Sequence, residues 1–512
     1  MTTQVDGPAR RMTLKIAEPG GSRLRPRLSL GSPRSWLVVG LIVGAAPAVA
    51  LGLGFESRYI VYGGLALALA ALLPYIVLTM GPLDRLLWGA FVLSLQLELA
   101  WAPINSGFAK PAGPYGVLIS PTLLTGSAML TVRWLQRVFG HHERLQIERG
   151  FAVAALCFLA TGLLSFVKTI SPLLSGFGIF EILSLIVTAT VASDCCSRRS
   201  WLMTLRTALF ALLFIQSVII LAEQTVGVQI SLAHGINTHY GWGAGDAGRF
   251  AGTFAAPSVA ASYITVCLLL LFGKLFSQDS PVRPTALWWL FTIGFLALLI
   301  SRTRSAWVAL TIGLAGLGWR CYQRGMISRR VIGRLLMAAL LALVIAWPLV
   351  SKRLSEDHAE AADTRGNLVT IAMVMIKANP VFGVGLNTAT HRVYEYAAAA
   401  GVGGWVFIVH NQFLLVAAET GIPGLIALLF VIGTGVRAAR RCMRSDDTLI
   451  RETGAVLFWS LLSMIWAFNL DHVSGCMSYF LMWFLIGAAC GLDILRGREE
   501  TEMAPAARVS SR

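Results

Sequence analysis

Long apolar runs recur along almost the whole chain, separated by short polar connections. A helix of about 20 residues crosses a hydrocarbon core of about 30 Å, so this pattern predicts a stack of membrane-spanning helices. Spans are expected at 36–54, 59–78, 86–101, 115–134, 150–168, 177–193, 202–222, 256–273, 286–301, 306–319, 335–350, 412–436, 454–470 and 476–494. The expected fold class is all-α: a polytopic membrane protein with about 12–14 transmembrane helices. Composition agrees. Of 512 residues, 56% are hydrophobic and only 13% charged, against roughly 25% charged in soluble domains. A soluble multidomain enzyme, a secreted disulfide scaffold and a disordered regulator are excluded.

The net charge of +16 would suggest nucleic acid in a soluble chain. Here its distribution reads as topology. With these spans, 31 of the 42 Lys and Arg fall on one face and 11 on the other, which puts both termini in the cytoplasm by the positive-inside rule. No nucleic-acid partner is expected. Arg10-Arg11 is followed by Glu18-Pro19-Gly20-Gly21 rather than an apolar stretch, so the pair does not read as an export signal. Residues 1–35 and 496–512 are expected as disordered cytoplasmic tails around a transmembrane catalytic domain at 36–495. Eight cysteines, mostly in spans or at cytoplasmic edges, imply no disulfide framework. His141-His142 beside Glu143 reads as a solvated turn, and no metal or cofactor is expected. Gly40/Gly44 and Gly487/Gly491 have the spacing of close helix approach, though among 50 glycines chance accounts for such pairs.

Candidate chemistry gathers on the other, outer face. Two connections there, 223–255 and 351–411, are far longer than a turn needs, and such loops are usually functional or disordered. The second contains a helix expected at 364–378, with Asp363 as N-cap candidate and Leu368, Ile371, Ala372, Met375 and Ile376 on one stripe. Asn379-Pro380 should stop it, and the helix is expected to lie along the membrane surface. Arginine is costly near hydrocarbon, yet Arg302 and Arg304 occupy a tight connection between two spans. They either snorkel to headgroups or form an anion site, for which a guanidinium fork is well shaped. Arg249 and Arg365, from the two long loops, are two further cations on the same face. His410-Asn411 closes the second loop. A histidine there serves either as a structural hydrogen-bonder or as a base able to take a proton near neutral pH. Glu419, nine residues on, is a carboxylate within a span, either partnering an arginine or anchoring the packing. Asp471-His472 is a weaker pair on the same face.

Four stretches, in this order, resemble the O-antigen ligase and polysaccharide polymerase superfamily of bacterial inner membranes. They are Arg249-Phe250-Ala251-Gly252-Thr253-Phe254-Ala255-Ala256-Pro257, Ser301-Arg302-Thr303-Arg304-Ser305-Ala306, Arg365 with Asn379-Pro380-Val381-Phe382-Gly383-Val384-Gly385, and His410-Asn411-Gln412-Phe413-Leu414 through Glu419-Thr420-Gly421-Ile422-Pro423-Gly424. They cover roughly 245–430. Ser258 stands where relatives carry asparagine, and Arg304 aligns with the family arginine better than Arg302 does.

The resemblance implies a GT-C-like membrane glycosyltransferase with a long periplasmic loop. Its donor would be an oligosaccharide on undecaprenyl diphosphate, reached at the periplasmic face of the inner membrane. A polymerase adds the donor glycan to the next lipid-linked repeat unit of O-antigen or exopolysaccharide, and a ligase joins it to lipid A-core. A chain-length regulator is a further expected partner, and membrane lipid surrounds the whole. The implied catalytic residues are His410 as base with Arg304 and Arg365 on the diphosphate. Arg249, Arg302, Asn411 and Glu419 are implied to bind substrate. No metal is required, because arginines can stabilise the leaving diphosphate. Polymerase is the leading reading and ligase the second. A lipid or solute transporter is the third, disfavoured because its ionisable groups should lie near the midplane.

Overall fold

A computed structural model describes residues 83–97, 116–138, 145–226, 250–254, 256–275, 283–330, 358–402, 409–470 and 477–510, with 104, 333, 337 and 351 singly. They belong to one compact unit, 83–512. The expected spans at 36–54, 59–78 and, but for residue 337, 335–350 lie outside the described residues, as do Arg249, Asp471-His472, His141-His142 and Gly40/Gly44.

The chain is an all-α polytopic membrane protein. Its helices are α1 (Leu83–Ser94), α2 (Pro121–Val138), α3 (Arg149–Leu164), α4 (Pro172–Cys196), α5 (Arg199–Val226), α6 (Pro257–Leu275) and α7 (Pro284–Ile300). Then come α8 (Arg304–Gln323), α9 (His358–Ala378), α10 (Val393–Ala400), α11 (Gln412–Cys442), α12 (Thr448–Phe468) and α13 (Met477–Ser510). Seven of the described helices, α3 (with the 3-10 turn Ser165–Lys168 that continues it) to α6 and α11 to α13, are long and apolar enough to cross a membrane, and α7 is apolar but shorter than these spans.

The bundle is built around α13, whose apolar stretch is almost wholly buried among α4, α11 and α12. Gly487 and Gly491 permit this. A Cβ on either would strike the carbonyl oxygen of Ala189 or Ser193 on α4. The spacing that chance could explain in the sequence is here the seam of the central helix pair. Trp483, fully buried, meets Phe151 and Phe158 of α3 and Tyr479 of its own helix.

Three boundaries differ from expectation. Helix α1 stops at Ser94 instead of running to 101: the Ser94 hydroxyl donates to Phe91 O, and the chain turns through Leu95. Helix α9 starts at His358, so Asp363 is interior rather than a cap; Ala359, Ala361 and Ala362 are strong helix formers that extend it backwards. Helix α13 continues to Ser510 where a disordered tail was expected. Arg496 bridges Asp493 and Glu500 one turn either side, at 2.8 and 2.7 Å, and Glu499 pairs with Arg199 at 3.1 Å.

Ion pairs gather at that same end of the bundle. Asp194, buried at the end of α4, meets Arg133 at 3.1 Å and Arg198 at 3.8 Å. Arg441 meets Asp493 at 2.8 Å, and Arg199 meets Asp447 at 2.9 Å. The opposite end carries the candidate site.

Candidate functional site

Helix α7 ends at a tight turn. Ser301 donates its hydroxyl to Leu298 O, and Arg302 takes the left-handed conformation with φ of 50°. Thr303, the cap of α8, bonds Ser301 O through its hydroxyl and makes no side-chain cap on its own helix. Arg304 is therefore the first residue of α8, where helix N–H groups and the helix dipole favour an anion. Both arginines are half-buried.

Helix α12 fixes what stands beside this turn. It runs antiparallel to α8: Ser463 donates to Ala309 O at 2.8 Å, Trp459 covers Gly316, and Arg320 bonds Met443 O beyond the other end. At a rise of about 1.5 Å per residue, Arg304 lies about 7 Å beyond the Ser463–Ala309 contact and Asn469 about 9 Å beyond it. Arg304 and the end of α12 thus stand at one level. Asn469 O accepts from Asn411 Nδ2 at 3.1 Å, while Asn411 Oδ1 accepts from Leu414 N at 3.0 Å and so caps α11. Asn411 ties the start of α11 to the end of α12, and half-buried His410 precedes it. The turn with Arg302 and Arg304 and the His410-Asn411 cap share one end of the bundle.

Below the cap, α11 is broken at Gly421, whose φ of 74° and ψ of 179° are open essentially to glycine alone. The glycine-rich segment after α9 fills the break. Val384 N donates to Ala418 O at 2.8 Å, Gly385 N to Glu419 O at 3.1 Å, and Ile422 N to Pro380 O at 2.8 Å. The buried Glu419 carboxylate accepts from Ala389 N at 3.4 Å. Leu386 and Asn387 then lock into α4: Ser175 Oγ donates to Leu386 O at 2.7 Å and Asn387 Nδ2 to Leu174 O at 2.9 Å. Glu419 is turned to this loop backbone, which accounts for a carboxylate in a span without an arginine.

Helix α9 packs back along the first half of α11. Of the expected stripe, Leu368, Ile371, Ala372 and Met375 are buried with Leu415, Ala418 and Val409 in a small second core, and Ile376 packs half-buried against it. Arg365 is exposed one turn before Leu368, at the end of α9 away from the Gly421 break. Helix α9 packs on α10 and α11, and α8 on α6, α7 and α12; among the described residues α11 and α12, which pack on each other, link the elements bearing Arg365 and Arg304. Arg392 is engaged elsewhere: it pairs with Glu395 at 2.7 Å and lies over the Tyr396 ring at 5.1 Å. Its guanidinium holds the Glu395 carboxyl below the usual carboxylate range.

The segment following Arg249 rests on a buried polar network. Gly252 N donates to Glu223 Oε2 at 2.8 Å, and Gln216 Nε2 donates to Ala251 O at 2.9 Å. Gln216 Oε1 accepts from Thr253 Oγ1 at 2.8 Å and from Gln96 Nε2 at 3.0 Å. Gln96, Gln216 and Glu223 did not stand out in the sequence, being lone polar residues in apolar runs. One signal was present: Gln216 and Glu223 are seven residues apart and therefore on one helix face.

Residues 289–429 match the profile of the family described as O-Antigen ligase. Over this stretch, under a third of the chain, the protein is similar to that family. The stretch runs from α7 to the middle of α11 and contains Arg302, Arg304, Arg365, His410, Asn411 and Glu419. The match begins later than the 245–430 expected, leaving the Arg249–Pro257 motif outside it. No curated protein matches the chain.

Proposed function

We propose that this protein transfers a glycan from a polyprenyl diphosphate, of the undecaprenyl type, to a sugar hydroxyl at the periplasmic face of the bacterial inner membrane. Polymerisation of O-antigen or exopolysaccharide repeat units is the reading preferred. Ligation to lipid A-core is the second, and the family match is compatible with both. The observation that carries the proposal is the shared end of the bundle, where Arg304 opens α8 at the level of the His410-Asn411 cap.

In this reading the acceptor oxygen attacks the anomeric carbon while the bond to the diphosphate breaks. His410 takes the hydroxyl proton. Arg304, with Arg302, Arg249 and Arg365 contributing, stabilises the charge that develops on the departing diphosphate, the kind of electrostatic term that dominates many enzymes. Guanidinium forks suit its paired oxygens. The charge is supplied by side chains, so transfer is expected to persist in excess chelator; loss of activity restored by magnesium or manganese would contradict this. In cells lacking the native gene, Arg304→Ala is expected to abolish long or ligated glycan at normal protein abundance, and Arg392→Ala to be tolerated. Full glycan production by Arg304→Ala would overturn the diphosphate role.

A further inference from the structure

The far end of α8 carries a second group of cations that the proposed reaction does not use. Arg320 lies about 24 Å along the helix from Arg304, at 1.5 Å per residue. Arg320 and Arg324 both donate to Met443 O at the end of α11. Arg451, in the first turn of α12, donates to Ser445 O and Asp446 O at 3.3 and 3.0 Å, and is within electrostatic range of both. Arg329 Nε donates to the Tyr322 hydroxyl at 3.0 Å. Among the described residues none of these four arginines forms an ion pair with a carboxylate. Elsewhere at this end Arg133, Arg199, Arg441 and Arg496 each pair with an acid. Glu452 is the one carboxylate in electrostatic range of Arg324.

The surroundings mark the level of lipid headgroups. Trp319 is 61% exposed on the outer side of α8 and packs on Tyr322, with ring centroids 5.9 Å apart. Tryptophan and tyrosine concentrate where the hydrocarbon meets water. Val308 and Trp319 are both exposed on this helix, as expected of a face turned to lipid. Arg320 and Arg324 each spend one of five N–H donors on a backbone carbonyl, Arg329 one on the Tyr322 hydroxyl, and Arg451 binds two carbonyls and the Thr448 hydroxyl, which leaves donors for a further acceptor.

We propose that this corner of α8, α11 and α12 binds the phosphate of an anionic phospholipid, held by Arg324 and Arg451, with Arg329 on the Tyr322 side of α8 adding to the positive field. The occupant is a lipid rather than a soluble anion, because the cations border an exposed apolar face with an aromatic rim. Juxtamembrane arginines contribute to such binding individually, at about a fivefold change in affinity each.

The test uses the full-length protein in a neutral detergent, titrated with phosphatidylglycerol, with phosphatidylcholine, and with inorganic phosphate. Bound lipid is read by native mass spectrometry and thermal midpoint in parallel. Phosphatidylglycerol is expected to be retained and to raise the midpoint, phosphatidylcholine to do neither, and inorganic phosphate at equal concentration to have no effect. Arg320 caps α11 and is left intact. The exposed Arg324→Ala and Arg329→Ala are each expected to lose about fivefold in phosphatidylglycerol affinity, while Arg498→Ala, removing the same charge from the exposed side of α13, keeps it. Equal binding of the two lipids would overturn the proposal. So would a phosphate effect matching that of phosphatidylglycerol, or an equal loss in Arg498→Ala. Unchanged affinity in a double Arg324→Ala, Arg329→Ala variant that melts like wild type would also overturn it.

Discussion

Glu223, fully buried on α5, accepts the backbone N–H of Gly252 and so fixes the segment that follows Arg249. Removing an acceptor from a buried donor costs about 1–3 kcal/mol. Glu223→Ala is therefore expected to lower glycan transfer sharply while the protein still inserts in the membrane, and Glu223→Gln to restore much of it; wild-type transfer by a well-expressed Glu223→Ala would show that this segment needs no such anchor. Glu395 illustrates the opposite extreme. Its carboxyl is held below the ordinary value by Arg392, so its contribution is complete at neutral pH and fades as pH falls through that lowered value. The pair is exposed and worth under about 1 kcal/mol. Glu395→Gln should accordingly leave the neutral-pH melting midpoint almost unmoved, which a thermal scan at two pH values would check. Arg302, Arg304 and His410 could be picked out in the sequence because cations and imidazole are rare in apolar surroundings. Glu419 could be noticed for the same reason, but its partner could not. Ala389 lies thirty residues away, and only the folded loop brings its N–H to the carboxylate.

Among elements, the break in α11 is the feature on which the loop geometry depends. A Cβ at position 421 would collide with Val381 O, and the backbone conformation there costs other residues about 1–3 kcal/mol. Gly421→Ala is expected to displace the segment 381–388 and cut both yield and transfer, whereas Gly433→Ala, in open space on the same helix, should be silent. Equal behaviour of the two would argue that the break has no role. Most helices could be located from apolar run length alone, because burial in hydrocarbon demands it. The start of α9 and the end of α13 could not, being set by alanine propensity and by one-turn ion pairs in polar sequence. The glycine pair on α13 shows a further limit. Its spacing is common in a glycine-rich chain, and only the α4 carbonyls facing it reveal the use. Gly487→Leu should leave little folded protein.

For the whole molecule, arginine–carboxylate pairs gather at one end of the bundle and Arg304 and His410 stand at the other. Reporter fusions at Asp363 and Gly401 are expected to read periplasmic and those at Arg329 and Arg444 cytoplasmic; a cytoplasmic signal at Asp363 would remove the proposed site from its substrate. The expected polarity comes from the sequence alone, since it needs only a count of Lys and Arg between spans, and the fusions are its test. The level shared by Arg304 and Asn411 was not legible there, because it depends on the antiparallel register of α8 and α12. The central claim is that this end performs metal-independent transfer from a lipid diphosphate. Its most direct test is turnover of a polyprenyl-diphosphate-linked oligosaccharide by purified protein in chelator, comparing wild type with His410→Gln. Loss of a general base typically slows a reaction by about 10²–10⁴-fold. The expected result is donor consumption and glycan transfer by the wild type, and a loss of that size in a His410→Gln protein that still binds donor. Near wild-type turnover by His410→Gln would contradict the account.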